Sequence, residues 1–61
     1  MEVKFSIEKD NMKYEIVYDK SARVKYRWQV IGYVGKVPFV EYAGETKKDC
    51  KDYIEEQLRD K

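Results

Sequence analysis

"RVKYRWQVIGYVGKVPFVEYA", residues 23–43, holds two alternating runs on either side of a glycine-flanked turn. With a period of two, Val24, Tyr26, Trp28 and Val30 fall on one side of the first run, and Arg23, Lys25, Arg27, Gln29 and Ile31 on the other. Alternation of this kind is the mark of a half-buried strand. Gly32 and Gly35 bracket a reversal near residues 33–36, and "VPFVEYA", residues 37–43, supplies the returning strand. Pro38 has no amide hydrogen, which places that strand at a sheet edge.

Upstream, "EVKFSIE" (2–8) sets Val3, Phe5 and Ile7 against Glu2, Lys4, Ser6 and Glu8. "MKYEIVYD" (12–19) sets Met12, Tyr14, Ile16 and Tyr18 against Lys13, Glu15, Val17 and Asp19. The intervening "KDN" is a turn, in which Asp10 and Asn11 tolerate positive φ. Downstream the period changes. Cys50, Tyr53, Ile54, Gln57 and Leu58 recur at helical spacing, with charged residues on the opposite side. Thr46 with Asp49 forms a capping box at its start. The reading is a single α+β domain over 1–61: an N-terminal hairpin (2–19), a second hairpin (23–43) and a helix (47–59). The expected architecture is two-layer, a four-stranded antiparallel sheet with one C-terminal helix packed on one face (ββββα). The expected core is Phe5, Tyr14, Ile16, Tyr26, Trp28, Val30, Phe39, Tyr53, Ile54 and Leu58.

The register can be carried further. A two-residue loop at Val34-Gly35 or Gly35-Lys36 pairs odd positions of the third strand with even positions of the fourth. Trp28, Val30, Phe39 and Ala43 then face the helix. Gln29, Ile31, Tyr33, Pro38, Val40 and Tyr42 face outward with Lys13 and Val17, and Glu41 turns toward the helix side. A one-residue bulge near Gly32 would exchange part of this set.

Sixty-one residues allow one domain with a modest core. The net charge is +1, with 41% charged residues. Residues 20–40 carry five basic side chains and no acid, while the segments on either side are each net −2. Three readings of the basic row are open. It can grip a polyanion, pair with Glu15 and Asp19 across the ladder, or serve solubility alone. The cluster of Ile31, Tyr33, Val40 and Tyr42 on the same face has the character of an interface.

The chain has no histidine and one cysteine. Imidazole-based catalysis and an ordinary structural zinc site are therefore not expected, and no phosphate-binding glycine loop occurs. Cys50 lies on the apolar stripe and reads as a buried structural thiol. No cofactor, metal, small-molecule substrate or enzymatic activity is expected. "MEVKFSIEKD" has no signal-peptide character and no run is apolar enough for a membrane span, so the expectation is a soluble cytoplasmic protein.

"KYRWQVIGYVGKVPFVEYAGETKKDCKDYIEEQL", residues 25–58, resembles the arm-type DNA-binding domain of phage and transposon tyrosine integrases. That family combines a three-stranded antiparallel sheet with a C-terminal helix. Trp28 in the strand, Gly35 in the turn and Thr46-Lys47-Lys48-Asp49-Cys50 at the helix start carry the likeness. It implies a protein of a phage or mobile element whose open sheet face enters the DNA major groove. Arg27 and Gln29 would then supply contacts, with Tyr42 beside them. The chain departs from that pattern after the turn, where a single lysine is followed by Glu41, and in its extra N-terminal hairpin. Two functions are thus expected from one face, built from Arg23, Lys25, Arg27, Gln29, Ile31, Tyr33, Val40 and Tyr42. The first is a regulator or inhibitor that binds a protein partner or forms a homodimer. The alternative is a module that binds double-stranded DNA.

Overall fold

The computed structural model describes residues 2–59; Met1, Asp60 and Lys61 lie outside the described residues. Four strands, β1 (Glu2–Lys9), β2 (Met12–Tyr18), β3 (Trp28–Val34) and β4 (Val37–Gly44), form an antiparallel sheet in the order β1-β2-β3-β4. One helix, α1 (Lys47–Leu58), packs across it, so the ββββα architecture is as expected. The helix stops one residue short of the expected end, with Arg59 as C-cap. Its start is held as read: the Asp49 amide donates to Thr46 Oγ1 at 3.1 Å.

Both hairpins turn in two residues because the turn residues accept the required backbone. Asp10 (φ 51°) and Asn11 (φ 69°) are both left-handed, as a type I′ turn demands. Gly35 (φ 64°) opens the Gly35-Lys36 turn between Val34 and Val37, where only a residue without Cβ adopts positive φ at little cost.

The ladders assign every side chain to a face. On the helix side the rungs are Phe5–Ile16–Val30–Tyr42 and Ile7–Tyr14–Gly32–Phe39. On the open side they are Val3–Val17–Gln29–Ala43, Ser6–Glu15–Ile31–Val40 and Glu8–Lys13–Tyr33–Pro38. Each edge strand has a bulge, at Lys4 in β1 between the Val3–Val17 and Phe5–Ile16 pairs, and at Glu41 in β4 between the Ile31–Val40 and Val30–Tyr42 pairs. An extra residue shifts the phase of alternation. Val3 therefore faces outward, opposite to Phe5 and Ile7. Tyr42 faces the helix, contrary to the expected open-face position, and Ala43 faces outward.

Arg23, Lys25 and Arg27 are not on a strand. Residues 24–26 form a single 3-10 turn inside a connection that runs from Asp19 to Arg27. The β2–β3 ladder starts at Tyr18–Trp28, and the chain ahead of Trp28 has no strand beside it. Local bonds hold it instead. The Asp19 amide donates to the Arg27 carbonyl at 2.8 Å, and Asp19 Oδ1 accepts from the Ser21 amide (3.0 Å) and hydroxyl (2.6 Å). Such side-chain bonds compete with strand extension.

The core consists of Tyr14, Ile16, Val30, Cys50 and Ile54, flanked by half-buried Phe5, Ile7, Trp28, Tyr42, Tyr53 and Leu58. Trp28 lies 5.0 Å from the Tyr18 ring in a tilted arrangement. Two expected core residues are exposed, Tyr26 at 52% and Phe39 at 53%. Tyr26 belongs to the 3-10 turn. Phe39 is on the helix side, but α1 runs from the Gly44 end of β4 toward the Lys9 end of β1. It leaves the β3–β4 hairpin uncovered, where Val34 and Val37 are exposed as well, and Met12 at the start of β2 is exposed at the same end of the sheet.

Candidate binding face

The open side of the sheet presents an apolar stripe that crosses all four strands. Val3 pairs with Val17, Ile31 with Val40, and the two pairs lie on adjacent rungs. Val17 (4% exposed) and Ile31 (9%) are sunk into the face although no second layer covers it, while Val3 (55%) and Val40 (61%) stand clear. With Glu15, Tyr33 and Pro38 these four line a shallow concavity of about 430 Å³. Neighbouring side chains thus already shield its floor, and its two apolar ends are free for contact.

Polar groups fix one margin. The Tyr33 hydroxyl donates to Glu15 Oε1 at 2.7 Å, and Lys13 Nζ lies 5.0 Å from the Tyr33 ring centroid. The bond to the Glu15 carboxylate, followed by partial burial, raises the Tyr33 phenol above its ordinary range. Its ring is therefore held in one position on the sheet, as a pre-ordered contact requires.

Of the residues expected on this face, Gln29, Ile31, Tyr33 and Val40 are there. Arg23 and Lys25 lie exposed in the β2–β3 connection, and the Arg27 guanidinium turns inward, Nε donating to the Ala22 carbonyl at 3.0 Å. Gln29 Nε2 donates to the Tyr26 carbonyl at 3.2 Å. The cross-strand pairing with Glu15 and Asp19, one of the three open readings, gives way to other bonds: Glu15 accepts from Tyr33, and Asp19 from Ser21. Among the described residues no carboxylate is within ion-pair distance of Arg23, Lys25 or Arg27. Val3 was missed, because only the bulge at Lys4 separates it from Phe5 and Ile7.

Tyr42 stacks on Tyr53 of the helix, ring centroids 4.9 Å apart. The Tyr53 hydroxyl donates to Glu41 Oε1 at 3.1 Å, so Glu41 does turn toward the helix side, at the rim. Its carboxylate occupies the space where a side chain at residue 32 would stand, which requires Gly32 at this point. Burial first, and then the Glu41 carboxylate, raise the Tyr53 phenol.

Comparison with family models, with curated proteins and with solved structures finds no match to this chain. Among the described residues, no group of three His, Cys, Asp or Glu side chains is placed to hold a metal ion. No described helix is long and apolar enough to cross a membrane.

Proposed function

We propose that the chain is a small non-enzymatic binding module, a regulator or inhibitor, that takes a protein partner on the open face of its sheet. The observation that carries this reading is the stripe Val3–Val17–Ile31–Val40. It is contiguous across the sheet, apolar, and bordered by the fixed Tyr33–Glu15 pair. Its exposed ends, Val3 and Val40, flank a shielded apolar floor on an otherwise uncovered sheet face, and apolar surface of this kind is what protein interfaces use. Double-stranded DNA has less support as the occupant. The face carries Lys13 near Glu15 and Glu8, and the arginines that would contact phosphates are in the connection, with Arg27 bonded to backbone.

Two charge insertions separate the readings. Val3→Glu with Val40→Glu should abolish binding to a protein partner, or homodimerisation seen by sedimentation, without loss of fold. Arg23→Glu with Lys25→Glu should leave either interaction intact. A titration with a mixed-sequence duplex provides the other arm. Affinity that falls between ~50 and ~200 mM salt with a log-log slope near −0.9 per phosphate, and that is lost in the arginine–lysine variant, would put DNA in place of protein.

A further inference from the structure

A second surface lies on the opposite side of β1. Between β1 and α1 runs a groove of about 460 Å³, in the ~300–1,000 Å³ range of ligand sites. Phe5, Ile7, Ile54 and Leu58 form its floor, and Lys9, Lys51 and Arg59 stand on its rim. Glu55 is the single carboxylate that lines it. Lys51 lies over the Phe5 ring, Nζ 4.8 Å from the centroid. Among the described residues neither Lys9 nor Lys51 is ion-paired, and Arg59 has only an exposed 3.4 Å contact with Glu56. The rim is therefore net positive, three cations against Glu55, above an apolar floor.

The same strand offers backbone. β1 and β4 are the edges of the sheet. The β4 edge is broken by the bulge at Glu41 and by Pro38, which lacks an amide hydrogen. In β1 the bulge lies at Lys4, and from Phe5 to Lys9 the strand pairs with β2 in unbroken register. An unblunted edge accepts a further strand. Phe5, Ile7 and Lys9 point to the groove side, so alternate residues of an added strand would enter the groove.

We propose that the β1 edge takes an extended peptide as a fifth strand, with an aliphatic side chain against Ile7 and Leu58. Carboxylates two places to either side would reach Lys51 at one end and Lys9 with Arg59 at the other. The recognised pattern is acid-x-aliphatic-x-acid. Backbone pairing supplies the docking, and the cation-rimmed apolar slot selects the sequence. This surface is separate from the open face and does not depend on its reading.

The test is an NMR titration with a blocked seven-residue peptide of alternating threonine and Glu, Leu, Glu. A second peptide carries lysine in place of both glutamates. Saturable shifts in residues 5–9 and 51–59, with slowed amide exchange along β1, are expected from the acidic peptide alone. Lys9→Glu with Lys51→Glu should weaken the acidic peptide by about tenfold or more and let the basic peptide bind, since attraction at the rim becomes repulsion. Val40→Glu, on the other face, should leave the binding unchanged. Equal binding of both peptides, shifts confined to the open face, or no shifts at millimolar peptide would each overturn the proposal. Binding by sodium decanoate at the same amides without slowed exchange in β1 would overturn strand addition in favour of an amphiphile site.

Discussion

Replacing Ile54 by alanine measures how firmly the helix is held to the sheet. Ile54 is 2% exposed and packs with Tyr14, Ile16, Val30 and Cys50. The change removes three carbons, and at ~0.8 kcal/mol per buried methylene the transfer loss is about 2.4 kcal/mol. A cavity adds to this only where the surroundings cannot close. One flank of Ile54 borders the groove beside β1, so Leu58, Phe5 and water can take up part of the space. The expected loss is ~2–3 kcal/mol, the lower half of the ~2–5 kcal/mol typical of such substitutions. For a domain of this length, with ~3–9 kcal/mol in total, the variant stays folded in the cold and melts ~8–24 °C earlier. Ile16 has no such outlet, being wholly enclosed beneath the helix. Ile16→Ala should cost ~3–5 kcal/mol and bring the domain close to unfolding; Ile16→Val, at ~0.5–1.5 kcal/mol, gives the safer comparison. Urea unfolding followed by Trp28 fluorescence and by far-ultraviolet circular dichroism measures all three. A loss below ~1 kcal/mol for Ile54→Ala with an unchanged m-value would refute the packing of α1 through this stripe. A greater loss at Ile54 than for the same truncation at Ile16 would refute the role given to the groove.

Thr46→Ala removes the hydroxyl that caps α1 and should cost ~0.5–2 kcal/mol in the same unfolding assay. The Cys50 thiol is pushed up from its ordinary 9.0 to about 11, by burial first and then by the Asp49 carboxylate. The unfolded chain thus releases this proton near its ordinary value while the native state keeps it. Stability is fully present below that value and should fall as pH rises from about 9 to about 11, a slope that Cys50→Ala should reduce. The raised Tyr14 and Tyr53 phenols act in the same direction at still higher pH. A thiol reagent should accordingly label the folded protein slowly near neutral pH and quickly in urea. Arg27→Ala should cost ~1 kcal/mol through its lost bond to Ala22 and speed exchange of the Asp19 amide, whereas Arg23→Ala should stay within ~0.5 kcal/mol. Gly32→Ala should drive Glu41 off Tyr53 and lower the Tyr53 phenol pKa, read by absorbance titration.

The parts legible in the sequence are those fixed by neighbours in the chain. Thr46 and Asp49 are three residues apart, and the stripe from Cys50 to Leu58 repeats within the helix itself. Asp10-Asn11 and Gly35 name their turns by the φ values they tolerate. What was misread depends on partners distant in sequence. Arg23 to Arg27 continue the alternation of β3, yet no strand lies beside them once Asp19 has bonded to Ser21 and Arg27. Phe39 alternates correctly, but its burial depends on where the helix crosses. Composition cannot say that α1 heads for β1 and leaves the far hairpin open.

The two bulges connect these differences to the binding surfaces. Were Lys4 paired regularly with Val17 instead of bulged, Val3 would join Phe5 on the helix side, and the open face would lose one end of its stripe. Were Glu41 paired regularly with Val30 instead of bulged, Tyr42 would turn outward, its stacking on Tyr53 would be lost, and the helix would have no aromatic closure over the β4 edge. Each bulge also sets the state of its edge. At β4 the bulge works with Pro38 against further pairing. At β1 it lies just after the Val3–Val17 pair, and the run from Phe5 to Lys9 remains regular. The phase shift that completes an apolar stripe on one face therefore leaves, on the other side of the same strand, the one unbroken edge beside a cation-rimmed groove. Strand β1 contributes to both surfaces, Val3 outward and Phe5, Ile7 and Lys9 toward the helix. A charge placed at Val3 should thus affect the open face alone, and a charge reversed at Lys9 the groove alone.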